Sequence, residues 1–156
     1  MSRSPKTAIV ICVFCAAVAS AFASTGSTRT ALVIGNAAYQ DLGVLKNPSN
    51  DAVDVANALA DLGFDVTLLI DAGYREMVEA VRDFGDRLAS RGGLGLFYFA
   101  GHGIEVNGTN YLIPTDSDIA AEDEVEFSSV ALDFVVGKME SAENANNILI
   151  LDACRD

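Results

Sequence analysis

Short apolar runs separated by stretches of helical periodicity constrain this chain more than any other feature. The runs cover residues 30–34, 64–70, 94–100 and 148–151. Strands apolar at successive positions are buried on both faces, as in parallel sheets covered by helices. Between the first two runs, residues 50–62 carry Ala52, Val55, Ala56 and Leu59 at the spacing of one helix face. Ser49 or Asn50 is expected to cap this helix, with Asp51 and Asp54 in its positive first turn and Gly63 ending it. Residues 74–88 form the clearest helix. Its stripe of Tyr74, Met77, Val78, Val81, Phe84, Gly85 and Leu88 belongs to a core, and Arg91-Gly92-Gly93 breaks it. Residues 104–113 read as a hairpin turning at Asn107-Gly108. Asn107-Gly108-Thr109 is also a formal glycosylation sequon. Residues 116–126 read as an acidic loop and 131–141 as a short helix. This alternation predicts an α/β layer fold with a mainly parallel sheet and right-handed crossovers.

The N-terminus reads as a secretory signal. Arg3 and Lys6 precede an apolar stretch over residues 7–19, and Ala21-Phe22-Ala23 is a small-x-small cleavage site. The apolar stretch is shorter than the roughly 20 residues of a membrane span. An uncleaved N-terminal anchor is the other reading of the same residues. The expected layout is a signal peptide over 1–23 and one domain over 24–156. That domain would be secreted or periplasmic, with no stable membrane span after cleavage. Cys12 and Cys15 would leave with the signal, and Cys154 alone would remain. A single unpaired cysteine in an exported chain points to a reactive thiol. The net charge of −12 argues against nucleic acid as a partner. It suits a basic ligand, although solubility alone accounts for it too.

His102 is the only histidine, and it follows the run 94–100; Cys154 follows the run 148–151. In open α/β sheets, ligands bind beyond the carboxyl ends of the strands. A lone Cys and a lone His at that rim point to a thiolate nucleophile and its acid/base partner. Taken singly, the Cys also reads as a small buried hydrophobe and the His as an ordinary satisfied side chain. One His and one Cys cannot furnish the usual zinc ligands, so no metal site is expected from them. Gly93-x-Gly95 precedes a strand and is no dinucleotide loop.

Tyr98-Phe99-Ala100-Gly101-His102-Gly103 and Leu151-Asp152-Ala153-Cys154-Arg155 resemble the caspase-like cysteine peptidases, peptidase C14. In that family the His lies about 50 residues before the Cys. Ala31-Leu32-Val33-Ile34-Gly35-Asn36 and Leu45-Lys46-Asn47-Pro48-Ser49-Asn50-Asp51-Ala52 look like its bacterial, metacaspase- and paracaspase-like branch. The resemblance covers about residues 28–156. It implies a caspase-like three-layer sandwich, large-subunit part, with cysteine-type endopeptidase activity. By resemblance, Cys154 is the nucleophile, His102 the general acid/base, and the backbone N–H groups of Gly103 and Cys154 the oxyanion hole.

Caspases proper carry Gln-Ala-Cys-x-Gly and cut after Asp. Here Asp152 replaces the Gln and Asp156 stands in place of the Gly. Metacaspases and paracaspases are similar in having Asp two residues before the Cys, where it helps form an acidic first subsite. Asp51 matches a second acidic residue of that subsite. The implied partner is a protein or peptide substrate with Arg or Lys at the cleavage site. A buried carboxylate pair binds guanidinium through charge-assisted bonds and rejects an acidic side chain. Asp51 also reads as a helix N-terminal charge, and Asp152 as a solvated strand-end carboxylate.

No cofactor is expected, but Ca²⁺ activates some metacaspases, and Asp116, Asp118, Glu122, Asp123, Glu124 and Glu126 form an acidic stretch. Its spacing is not that of an EF-hand, and a solvated loop also accounts for it. Caspase-like domains continue beyond the Cys with a substrate loop and two further strands. This chain is therefore expected to lack the C-terminal strands and to expose the run 148–151 as an apolar edge. A catalytically inactive caspase-like scaffold that binds partners is the alternative function.

Overall fold

The computed structural model describes residues 28–155, with backbone alone at Cys154 and Arg155; the signal assigned to residues 1–23 lies outside the described residues. At the centre stands β1 (Arg29–Gly35), whose last six residues are buried. It pairs in parallel with β2 (Asp65–Ile70) on one edge and β3 (Leu94–Val106) on the other. On the far edge of β3 runs β6 (Asn146–Arg155), also parallel. The end of β3 turns into β4 (Thr109–Leu112), which is antiparallel and leads to β5 (Val130–Ala131).

Two cores lie on opposite faces of this sheet. On one face, Ala52, Ala56 and Leu59 of α1 (Pro48–Asp61) meet Ala31, Val33, Leu96, Tyr98 and Ala100. On the other, α2 (Tyr74–Arg91) and α4 (Leu132–Ser141) supply Met77, Val81, Phe84, Leu88, Val135 and Met139 against Leu32, Ile34, Phe97 and Phe99. Alternate residues of one strand face opposite cores, which is why β1 and β3 are apolar without a break. The result is the expected helix–sheet–helix sandwich with a mainly parallel sheet. The predicted stripe of α2 faces the core, except that Tyr74 at its start is 40% exposed.

Several boundaries differ from the sequence reading. α1 begins at Pro48, with Asn47 at its N-cap and no side-chain cap, not at Ser49 or Asn50. Proline suits the first helical turn, where its fixed φ fits and its missing N–H is not needed. β3 does not stop at Ala100 but continues through His102 to Val106, because β4 pairs with it from Gly103 onward. The hairpin turns at Asn107 (φ 51°) and Gly108 (φ 83°), the two positive φ values of a type I′ turn. Residues 116–126, read as loop, include a 3₁₀ turn (Glu122–Glu124) that runs into α3 (Val125–Ser128). Two of their carboxylates serve the backbone. Asp116 accepts the Tyr74 amide at 2.7 Å and caps α2, while Glu124 accepts the amides of Ala120 and Ala121.

The fully buried Asn36 holds the rim of the sheet together. Its amide accepts from Ala72 N–H at 2.9 Å and donates to the carbonyls of Ala72 and Ile113, each at 3.2 Å. Asn36→Ala strands these groups in the interior. The expected loss is about 3 kcal/mol of unfolding free energy, read as a lowered urea midpoint at unchanged slope.

Along β6, Ile148, Leu149, Ile150 and Leu151 are each 36–42% exposed. Among the described residues no strand pairs with its outer edge.

Candidate active site

The chain leaves β1 toward α1 on one face of the sheet, while β3 leads through β4 and β5 toward α4 on the other. A crevice opens where neighbouring strands send their connections to opposite faces. Here it is a cleft of about 340 Å³ lined by Leu45, Lys46, Asn47 and Pro48 from the loop into α1, Asp51 from its first turn, Ala100, Gly101 and His102 from β3, and Asp152 from β6. Gly35 lets α1 start this close, since a Cβ there would lie 2.5 Å from the Pro48 carbonyl oxygen and from the Ala52 side chain.

Asp51, Asp152 and His102, picked out in sequence a hundred residues apart, thus share one cleft. The carboxylates are less buried than the sequence reading supposed: Asp51 is half-buried and Asp152 exposed. Among the described residues β6 pairs with β3 alone, which leaves its other flank open. The phenol of Tyr98, beneath the cleft and 5% exposed, is held above its ordinary pKa, first by burial. The charges of Asp152 and Asp51 and a hydrogen bond to Asp152 push it further in the same direction. Both carboxylates therefore act on one hydroxyl.

Cys154 sits inside β6, not beyond its end, and the parallel register sets it directly opposite His102. Asp152 stands opposite Ala100 in the same ladder. Positions two apart on a strand share a face, so 152 and 154 lie on the sheet face of 100 and 102, the side of α1. Gly103 continues β3 between Leu112 of β4 and Arg155 of β6.

His102 is half-buried, and its Nε2 is buried with no hydrogen-bond partner among the described residues. Its backbone N–H donates to the Tyr39 hydroxyl at 2.8 Å, and the two rings meet edge-on with centroids 4.6 Å apart. The Tyr39 hydroxyl donates in turn to the Ile113 carbonyl at 3.2 Å. Burial drives the Tyr39 phenol well above its ordinary pKa, so it keeps the proton it donates. Sequence reading overlooked Tyr39, Tyr98 and the loop residues 45–48 as parts of the site. The unbroken apolar run of β3 makes Tyr98 read as core, and nothing local marks Tyr39, whose partners lie 63 and 74 residues away.

The remaining acidic stretch stays apart from this cleft. Val106, Asn107, Thr109, Tyr111, Glu122, Asp123 and Glu126 line a separate depression of about 320 Å³. Among the described residues no three His, Cys, Asp or Glu side chains converge as metal ligands would. No helix among them is long and apolar enough to cross a membrane.

Comparison with known proteins agrees with this architecture. Two relatives are each 34% identical to the chain over 127 residues: the mucosa-associated lymphoid tissue lymphoma translocation protein 1 of Homo sapiens and its Mus musculus homolog. The match covers 81% of this chain but 15% of each relative's length, so the chain corresponds to a small part of those proteins. The caspase-domain profile of peptidase C14 matches residues 28–156. With that match over the whole described sandwich, the chain belongs to the caspase-domain family of cysteine peptidases.

Proposed function

We propose that this chain is a cysteine endopeptidase that uses Cys154 and His102 and cleaves after Arg or Lys. One observation carries the reading. The register that puts Cys154 opposite His102 also puts Asp152 two residues away, beside the cleft that His102 and Asp51 line. Cys154, His102 and the recess of the two carboxylates thus fall within one rim of the sheet, which supports these roles.

A free thiol with pKa near 8.5 is only slightly ionised at neutral pH, and an adjacent imidazole increases the thiolate fraction. In the proposed reaction the Cys154 sulfur attacks the scissile carbonyl carbon and forms a C–S bond. The electron pair moves to the carbonyl oxygen, which the N–H groups of Gly103 and Cys154 stabilise. Collapse breaks the C–N bond as His102 gives its proton to the leaving amine. Water then attacks the thioester with His102 as base, which releases the acid and restores the thiol. Asp51 and Asp152 hold the substrate guanidinium or ammonium by charge-assisted bonds. No cofactor takes part in these steps, and Ca²⁺ is tested as an activator alone. The signal-like residues 1–23 support a secreted or periplasmic setting.

The test is hydrolysis of peptide reporters ending in Arg, Lys or Asp, with and without Ca²⁺, beside Cys154→Ala. Cleavage after Arg and Lys that disappears in the variant is the expected result. Cleavage after Asp alone refutes the acidic recess and keeps the Cys–His pair. No cleavage by this chain or by a C-terminally extended one leaves the inactive scaffold as the better account.

A further inference from the structure

We propose that Tyr39 is the positioning residue for His102, holding the imidazole by a backbone hydrogen bond and an edge-on ring contact. The inference rests on the reading of His102 as the acid/base of a peptidase. His102 lies near the end of β3, beyond the last residue that β1 pairs, because the β1–β3 register stops at Gly35↔Ala100. The first β4 pair begins at Gly103. His102 therefore falls in the gap between the two strands that share this edge. Tyr39 bridges that gap: its hydroxyl accepts the His102 amide at 2.8 Å and donates to the Ile113 carbonyl at 3.2 Å.

The segment that carries Tyr39 is itself fixed. The Asp71 carboxylate accepts the amides of Ala37 at 2.7 Å and Ala38 at 2.9 Å. Gln40 donates its amide to the Thr115 carbonyl at 3.3 Å. Gly101 completes the fit, since a Cβ there would stand 2.4 Å from the Tyr39 hydroxyl. Ring and hydroxyl thus act on the same histidine from one hydrogen-bonded loop. Small displacements of a catalytic group are enough to cost rate, about 10²-fold for 1 Å.

Tyr39→Phe keeps the ring and removes the hydroxyl. His102 is the only histidine, so its imidazole signals in the full chain need no assignment by elimination. At fixed pH, Tyr39→Phe is expected to move the His102 amide and imidazole C–H resonances. With an arginyl reporter, kcat falls about 10- to 100-fold while KM stays within about twofold. An imidazole spectrum left in place overturns the proposal whatever the turnover, as does an unchanged kcat in an active chain. If neither the unaltered chain nor a C-terminally extended one hydrolyses the reporter, the peptidase reading falls, and the spectrum alone decides Tyr39. If Tyr39→Phe does not fold, the unaltered chain decides: a nuclear Overhauser contact between the Tyr39 and His102 rings supports the proposal, and its absence overturns it.

Discussion

Replacing Cys154 by Ala is expected to abolish cleavage of an arginyl peptide, and His102→Ala to lower kcat by about 10²- to 10⁴-fold. The double variant should be no worse than Cys154→Ala. Residues that act as one unit lose nearly everything with the first member removed, so their costs do not add. The register is the reason to expect a unit: the two positions face each other across one parallel ladder. A histidine that merely packs at the strand end would behave differently, since its removal would change stability and leave kcat almost intact. Thermal unfolding measured beside kcat separates the two cases.

The second large effect concerns selectivity. Asp152→Asn and Asp51→Asn each remove one charge from the recess. A hydrogen bond to a charged group contributes about 1.5–3 kcal/mol, so each change should lower kcat/KM for an arginyl reporter roughly 10- to 100-fold. The partly open position of Asp152 puts its effect toward the lower end of that range, because solvent screens an exposed pair. The two carboxylates line the same cleft, so their effects are expected to couple instead of adding. The double variant should no longer prefer Arg over an uncharged side chain. Steady-state rates on matched arginyl and norleucyl reporters measure this directly.

Much of the layered fold was legible because its signals are local. Gly63 follows the end of α1 with φ 80°, and Asn107-Gly108 makes the hairpin, each as its residue type dictates. The stripe of α2 is readable because five of its seven members are buried. The length of β3 was not legible. Its continuation past Ala100 depends on β4 and β6 pairing along it, and no residue in Gly101-His102-Gly103 announces a strand. Residues 116–126 looked like solvated loop because the partner of Asp116 is the Tyr74 amide, 42 residues away, which only the fold brings near. The same division holds at the site. His102, Cys154, Asp51 and Asp152 stood out through their motifs. Tyr39 did not, since its role comes from two hydrogen bonds that span most of the domain.

The most direct measurement is covalent labelling of the full chain with a peptidyl-arginyl chloromethyl ketone, mapped by mass spectrometry. The chain has three cysteines, and among the described residues Cys154 lies opposite the histidine. The account predicts labelling at Cys154 alone, slowed in His102→Ala, and far slower with the aspartyl reagent. Equal labelling by both reagents, or modification of Cys154 at the same rate with and without His102, would contradict it.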